Sequence, residues 1–269
     1  MRRRSQLYVP AINEKMIRKS VEIPSDTVIF DLEDSVPPDQ KEKARENLRL
    51  LVKQLEWGKR ELAVRINSVN TRDGLRDLLL LGELELHTVL VPKAEGDLSF
   101  VHEVTGKEIE PIVETPKGLT TLEELVRSEG VVAVSYGAAD LALHAGGDLR
   151  GYEGNIYVMT AIAITAKAYD VDPVDKVFFD LKDVEGFRRE ALLAKSLGFV
   201  GKQVIHPSQV DVANQVFSPS KEEIEWHRKV VQAFEEAMKI GKGAIRLDDK
   251  LVDYVHYKLA KRILQDYSD

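Results

Sequence analysis

Short apolar runs alternate along the chain with longer stretches in which apolar residues recur at helical spacing. Leu7–Pro10 reads as an extended run, and Asn13 caps a helix carrying Met16, Ile17 and Val21. Thr27–Phe30 is a second strand. Pro37 and Pro38 open a long helix with Ala44, Leu48, Leu51, Val52 and Leu55 in one stripe. Strands follow at Leu62–Ile66, Thr88–Val91, Glu108–Val113, Val131–Ser135, Val177–Phe179 and Phe199–Ile205. Between them, Leu75–Leu81, Gly118–Arg127, Ile156–Tyr169 and Val184–Leu197 have helical spacing, and the glycine-rich stretch His144–Gly154 reads as a surface loop. A strand–helix unit therefore occurs eight times, as a (β/α)8 TIM barrel requires. The pattern predicts an α/β barrel over residues 1–217 and a C-terminal helical extension, an arm or lid, over residues 218–269. Within the extension, Glu222–Ile240 and Tyr254–Leu264 are helical, with a turn through Asp248-Asp249-Lys250 before Asp253.

The polar positions sharpen this picture. Asp31, Glu33, Asp34, Arg65, Lys93, Glu114, Asp140 and His206 all fall at or just after the C-terminal ends of predicted strands, the rim that carries the active site in such barrels. No glycine-rich phosphate loop of the doubly wound competitor is present. Glu114 and Asp140 end two strands joined by a helical crossover, so both carboxylates reach one rim, where they suit Mg2+; each can equally be an ordinary cap or first-turn residue of a helix. Arg65 is either an ion-pair partner for the acids after the second strand or a fork that grips a substrate carboxylate. His206, followed by proline, is read as fixing its loop, and Trp57 and Trp226 as packing residues.

Composition excludes more than it assigns. With 43% hydrophobic and 31% charged residues and no run long enough to span a membrane, the chain reads as a globular, cytoplasmic protein without a secretory leader. The absence of cysteine removes disulfides, thiolate metal sites and a cysteine nucleophile. A net charge of −7 argues against nucleic-acid partners.

The assembled motifs resemble the citrate lyase β-subunit family, within the wider superfamily of citrate lyase, malyl-CoA lyase and HpcH/HpaI aldolase. They are Arg4-Ser5 with Leu7-Tyr8-Val9-Pro10, Asp31-Leu32-Glu33-Asp34, Val64-Arg65-Ile66-Asn67, Val91-Pro92-Lys93, Glu114-Thr115-Pro116-Lys117-Gly118, Gly137 with Asp140-Leu141, Ile205-His206-Pro207-Ser208-Gln209, and Leu251-Val252-Asp253. The resemblance implies a barrel assembled as a homotrimer or a dimer of trimers, with Mg2+ held by Glu114 and Asp140. It implies that Arg65 binds the substrate carboxylate, that Glu33 and Asp34 lie near the metal's waters and that arginine, and that Asp253 is an acid–base group reaching a neighbouring subunit. Where the family has Asp-Gly-Lys, this chain has Asp248-Asp249-Lys250.

The implied reaction is Mg2+-dependent cleavage or formation of a short 3-hydroxyacyl-CoA (citramalyl-, malyl- or citryl-CoA), exchanging a 2-oxo acid and acetyl-CoA. In it Arg65 orients the oxo acid and Asp253 exchanges a proton with the acetyl-CoA enolate. Lys93 and Arg4 are candidates to meet the phosphates of the coenzyme A thioester, with pairing to a rim carboxylate the alternative for Lys93. Two rivals remain: a metal-dependent pyruvate aldolase acting on non-CoA substrates, and a non-catalytic subunit that holds a metal and a small oxo acid.

Overall fold

The computed structural model describes residues 1–266. The chain divides into two compact units, Met1–Phe217 and the residues from Ser218 onward.

The first unit is a closed barrel of eight parallel strands in sequence order. They are β1 (Ser5–Pro10), β2 (Thr27–Asp31), β3 (Glu61–Arg65), β4 (Thr88–Val91), β5 (Glu108–Val113), β6 (Ala133–Tyr136), β7 (Asp172–Asp175) and β8 (Gly201–Val204). Parallel pairing of β1 with β8, through Ser5 to Lys202, Gln6 to Gln203 and Leu7 to Val204, closes the ring. The helices are α1 (Glu14–Ser20), α2 (Lys41–Gln54), α3 (Arg72–Gly82), α4 (Ser99–Thr105), α5 (Pro116–Thr120), α6 (Leu122–Arg127), α7 (Ala138–Ala145), α8 (Ile156–Ala168), α9 (Val184–Leu197) and α10 (Pro207–Val216). The (β/α)8 fold expected from the sequence is thus the fold observed.

Side chains alternate across each strand, so one set fills the barrel and the other packs under the helices. Val28 and Phe30 of β2 join the large outer core, whereas Ile29, Ala63, Leu90 and Ile112 form a separate apolar cluster, with Tyr8 against it. A second interior group is polar yet satisfied: Glu110 accepts from Gln6 Nε2 at 2.6 Å and from Gln203 Nε2 at 3.2 Å. At the N-terminal end Arg3 is bound to Glu61, which also accepts from Thr27 and Thr88. Arg4 lies at this same end, with Nε and Nη2 on the Asp26 carboxylate at 2.8 and 2.7 Å. It is therefore an ion-pair residue of the face opposite the rim, and its assignment to coenzyme A phosphates is corrected.

Several boundaries differ from expectation for identifiable reasons. The seventh strand is Asp172–Asp175, not Val177–Phe179. Its pairing with β8 runs through Val174 and Asp175, and Phe178 instead packs edge-on against Phe187 of α9 at 6.0 Å. Gly118–Arg127 breaks at Thr121 into α5 and α6. In the region read as a loop over His144–Gly154, α7 continues to Ala145 and Leu149–Gly151 forms a 3-10 turn. Asn13 caps α1 as expected, accepting from Met16 N at 3.1 Å. Trp57 packs edge-on against Phe30, with centroids 5.3 Å apart.

The second unit contains α11 (Lys221–Lys239), a hairpin of β9 (Ala244–Leu247) and β10 (Lys250–Asp253), and α12 (Tyr254–Asp266). Its own core joins Val230, Phe234, Val252, Tyr257 and Ala260. The turn expected through Asp248-Asp249-Lys250 is the loop of this hairpin. Asp248 and Asp249 both take left-handed backbone, with φ of 44° and 61°, as a two-residue turn that matches strand twist demands. Aspartate tolerates that region better than most residues with a side chain. Among the described residues no helix is long and apolar enough to cross a membrane.

Candidate active site

The C-terminal ends of the strands surround a cleft of about 440 Å³. Its walls include Asp31, Arg65, Glu114, Asp140 and Lys176 as well as apolar residues such as Ile112 and Phe179. Strand geometry explains the convergence. On β3, Glu61, Ala63 and Arg65 share the interior face, and on β5 the same alternation aligns Glu110, Ile112 and, just beyond the strand, Glu114.

Arg65 fulfils the ion-pair reading in full. Its Nε donates to Asp31 Oδ1 at 2.7 Å and its Nη2 to Asp31 Oδ2 at 2.8 Å, a two-pronged bond. Nη1 lies 3.3 Å from Glu33 Oε2 and 3.2 Å from Asp34 Oδ2. The guanidinium carbon stands 5.0 Å from the centre of the Tyr8 ring, which supports it from beneath. Burial favours a protonated Asp31, but the bonds from Arg65 outweigh it and hold this carboxyl below its ordinary value. Asp31 locks the guanidinium in one orientation at the cleft wall, so the structure supplies the rigidity that a substrate fork also needs.

Glu114 follows β5 and is buried, with only 4% of its surface exposed. Burial, reinforced by nearby Glu33, pushes its carboxyl up to about 7. Its Oε2 accepts the backbone N–H of Lys93 at 3.0 Å. Gly137 passes so close that a Cβ there would lie 2.7 Å from Glu114 Oε1, so this position requires glycine. Asp140 stands in the first turn of α7, as the helix-terminus reading expected, and also faces the cleft.

Lys93 links these acids. Its ammonium donates to Glu33 Oε1 at 2.9 Å and lies 3.8 Å from Glu114 Oε2 and 3.7 Å from Asp140 Oδ1. Pairing with rim carboxylates, one of its two expected roles, is thus present. The neighbouring acids, Glu33 foremost, raise its affinity for its proton against the opposing effect of burial. Glu33 is itself pushed up by burial, and its Oε2 is buried without a hydrogen-bond partner. Among the described residues no three His, Cys, Asp or Glu side chains converge at metal-binding spacing. The donor set nonetheless fits Mg2+: Glu114 and Asp140 offer two hard carboxylates around a position already attractive to a cation, with room for water and substrate oxygens.

Asp253 belongs to the second unit, at the end of β10. Its Oδ1 accepts from the backbone N–H of Val255 at 3.0 Å and of His256 at 3.2 Å, capping the first turn of α12. His256 Nδ1 lies 2.6 Å from the same oxygen. These bonds, that to His256 first, hold the carboxyl below its ordinary value. His206 caps α10 and pairs with Ser208 Oγ at 2.8 Å, a loop-fixing role as expected.

Sequence reasoning missed Lys176, which lines the cleft and bonds Glu190 at 2.7 Å, beside Lys202 bonded to Glu190 at 2.6 Å. It also missed Tyr8 as the support of Arg65. The signal for Tyr8 was its alternation with Gln6 on β1, and Lys176 was hidden because the seventh strand was placed too late.

Known proteins resemble this chain over nearly its whole length. The model of the HpcH/HpaI aldolase/citrate lyase family matches residues 4–207. A (3S)-malyl-CoA thioesterase of Cereibacter sphaeroides is 34% identical over 265 residues, covering 97% of this chain and 93% of the relative. The mitochondrial citramalyl-CoA lyase of Rattus norvegicus is 31% identical, covering 97% of this chain and 85% of that one. Among solved structures, CitE from Mycobacterium tuberculosis in complex with magnesium, acetoacetate and coenzyme A superimposes with a TM-score of 0.82 at 31% identity, over 97% of this chain and 96% of that one. The chain belongs to the HpcH/HpaI aldolase/citrate lyase family.

Proposed function

We infer that the protein is a Mg2+-dependent carbon–carbon lyase that cleaves or forms a short 3-hydroxyacyl-CoA, with a 2-oxo acid and acetyl-CoA as the other partners. The observation that carries this reading is the convergence of a rigidly held Arg65 with the carboxylates of Glu114 and Asp140 on one cleft. Relatives named as citramalyl-CoA lyase and as L-malyl-CoA/beta-methylmalyl-CoA lyase support the acyl-CoA class, and the magnesium- and coenzyme A-bound CitE supports both ligands.

Bound at Glu114 and Asp140, magnesium would supply Lewis acidity to the carbonyl and carboxylate oxygens of the oxo acid. Arg65, with two N–H groups committed to Asp31, orients the substrate carboxylate with its remaining donors. Asp34 is the more solvated of the acids flanking Arg65, and Glu33 with Lys93 completes the charge balance of the rim. Asp253 exchanges the proton of the acetyl-CoA enolate: as acid in cleavage, as base in condensation. In this reading Asp253 reaches the cleft of a neighbouring chain in a homotrimer or dimer of trimers.

The test is a panel of citramalyl-, malyl- and citryl-CoA with and without Mg2+, reading release of pyruvate, glyoxylate or oxaloacetate. Metal-dependent release from one of them together with acetyl-CoA is expected. Activity confined to non-CoA hydroxy-oxo acids would favour the aldolase instead. The thioesterases of Cereibacter sphaeroides motivate a second reading, hydrolysis of the thioester, which would release free coenzyme A with an intact hydroxy acid. Binding of metal and oxo acid without turnover of either substrate class would mark a non-catalytic subunit.

A further inference from the structure

The acids around the cleft outnumber what a two-carboxylate metal site needs. Glu33, Glu114 and Asp140 all lie within 3.8 Å of the single ammonium of Lys93, although the three do not stand at metal-binding spacing to one another. A third carboxylate on a divalent ion would tighten binding and occupy positions that an oxo acid must use. The geometry offers a reason why this does not happen. Lys93 is closest to Glu33, at 2.9 Å, with Glu114 and Asp140 farther off at 3.8 and 3.7 Å. The other oxygen of Glu33 lies 3.3 Å from Arg65 Nη1, so cations flank both ends of this carboxylate.

The backbone supports the same view. Lys93 has a left-handed φ of 49°, a conformation unfavourable for a residue with a side chain. In that conformation its N–H meets Glu114 Oε2 while its side chain meets Glu33. One residue thus fixes an intended ligand with its main chain and restrains the surplus acid with its side chain.

We propose that Lys93 is a positioning residue which keeps Glu33 off the metal, so that Glu114 and Asp140 alone ligate it and the remaining positions stay open to the oxo acid. This rests on the metal role inferred above for those two carboxylates. The charges agree with it: three carboxylates are balanced by one ammonium and one divalent ion.

The probe is Mn2+, with binding measured by calorimetry and bound water counted by proton relaxation. Lys93→Met should bind Mn2+ at least tenfold more tightly, carry fewer exchangeable waters, and hold pyruvate more weakly once loaded. Adding Glu33→Gln to Lys93→Met should return affinity, water count and pyruvate binding towards those of the parent. An affinity in Lys93→Met no higher than the parent's overturns the proposal. So does equal tightening with and without Glu33→Gln, which would make the effect one of charge alone. Should Lys93→Met fail to fold, Glu33→Gln by itself decides: an unchanged water count agrees, and a gain of one water shows that Glu33 already ligates and overturns it. Glu114→Gln separates this inference from its premise, because Mn2+ binding that survives that substitution unchanged removes the metal site itself.

Discussion

Glu114 gathers opposing demands on one side chain. Its buried carboxyl titrates near 7, whereas the unfolded chain releases that proton near the ordinary value of 4.5. The folded state therefore holds more protons across this window, and stability falls as pH rises from about 4.5 to about 7. Glu110, also pushed up to about 7 by burial, acts in the same direction. Calorimetric melting of metal-free protein should show Tm declining across that window, with a shallower decline in Glu114→Gln. A metal must displace the proton, so divalent affinity should rise with pH up to about 7, by as much as tenfold per unit, and level off above. Affinity that is flat between pH 5 and 7 would remove Glu114 from the ligand set. Arg65 makes a second residue-scale prediction. Lysine cannot reproduce the double bond to Asp31, so Arg65→Lys should weaken pyruvate binding about ten- to a hundredfold and also lower Tm. A fall in Tm with unchanged pyruvate affinity would reduce Arg65 to a structural partner.

Single elements carry the site as rigid pieces, and their anchoring is buried and polar. Asp77 of α3 accepts Arg45 Nε of α2 at 2.7 Å, and its other oxygen accepts Asn67 N at 2.8 Å and Asn67 Nδ2 at 2.7 Å. Asn67 Nδ2 also donates to Leu32 O, so one carboxylate ties the chain just past β2 and β3, where Asp31 and Arg65 stand. Asp77→Ala should destabilise the protein by about 3 kcal/mol, measured by chemical denaturation, because it leaves Arg45 and Asn67 short of a buried partner. A loss below about 0.5 kcal/mol would show that Asp73 and Glu42 suffice for Arg45. At this scale the sequence was most legible where the apolar run was continuous, as in β2 and β4. It was least legible in β7, a strand of Asp-Pro-Val-Asp whose polar ends pair with cations, Asp172 with Arg3 and Lys167 and Asp175 with the buried Lys202. A buried ion pair leaves no hydrophobic signature, so the apolar triplet beyond it drew the assignment. The site was legible because strand ends are visible in sequence. The pairing of Lys93 with Glu33 was open, since which cation meets which acid depends on side-chain direction across the ring.

For the whole molecule, the inferred role of Asp253 has a consequence that no single chain can satisfy. If its proton transfer serves a neighbour, Asp253→Asn should bind Mg2+ and oxo acid normally while losing carbon–carbon chemistry. Co-refolding it with Glu114→Gln should restore part of the activity in mixed oligomers, where one chain supplies the metal and another the acid. Mixed oligomers verified by mass and yet inactive would mean that the tail serves its own barrel or that Asp253 only caps α12. The seam between β1 and β8 bears on how this protein is made. A ribosome adds roughly 5–20 residues per second, so the first strand waits roughly 10–40 s before residues 201–204 emerge to pair with it. Throughout that interval the nascent sheet has an unpaired edge at β1, whose Leu7 and Val9 end up buried. The opening strand thus spends synthesis with one edge open to wrong partners, although Leu7 and Val9 are buried once the ring has closed.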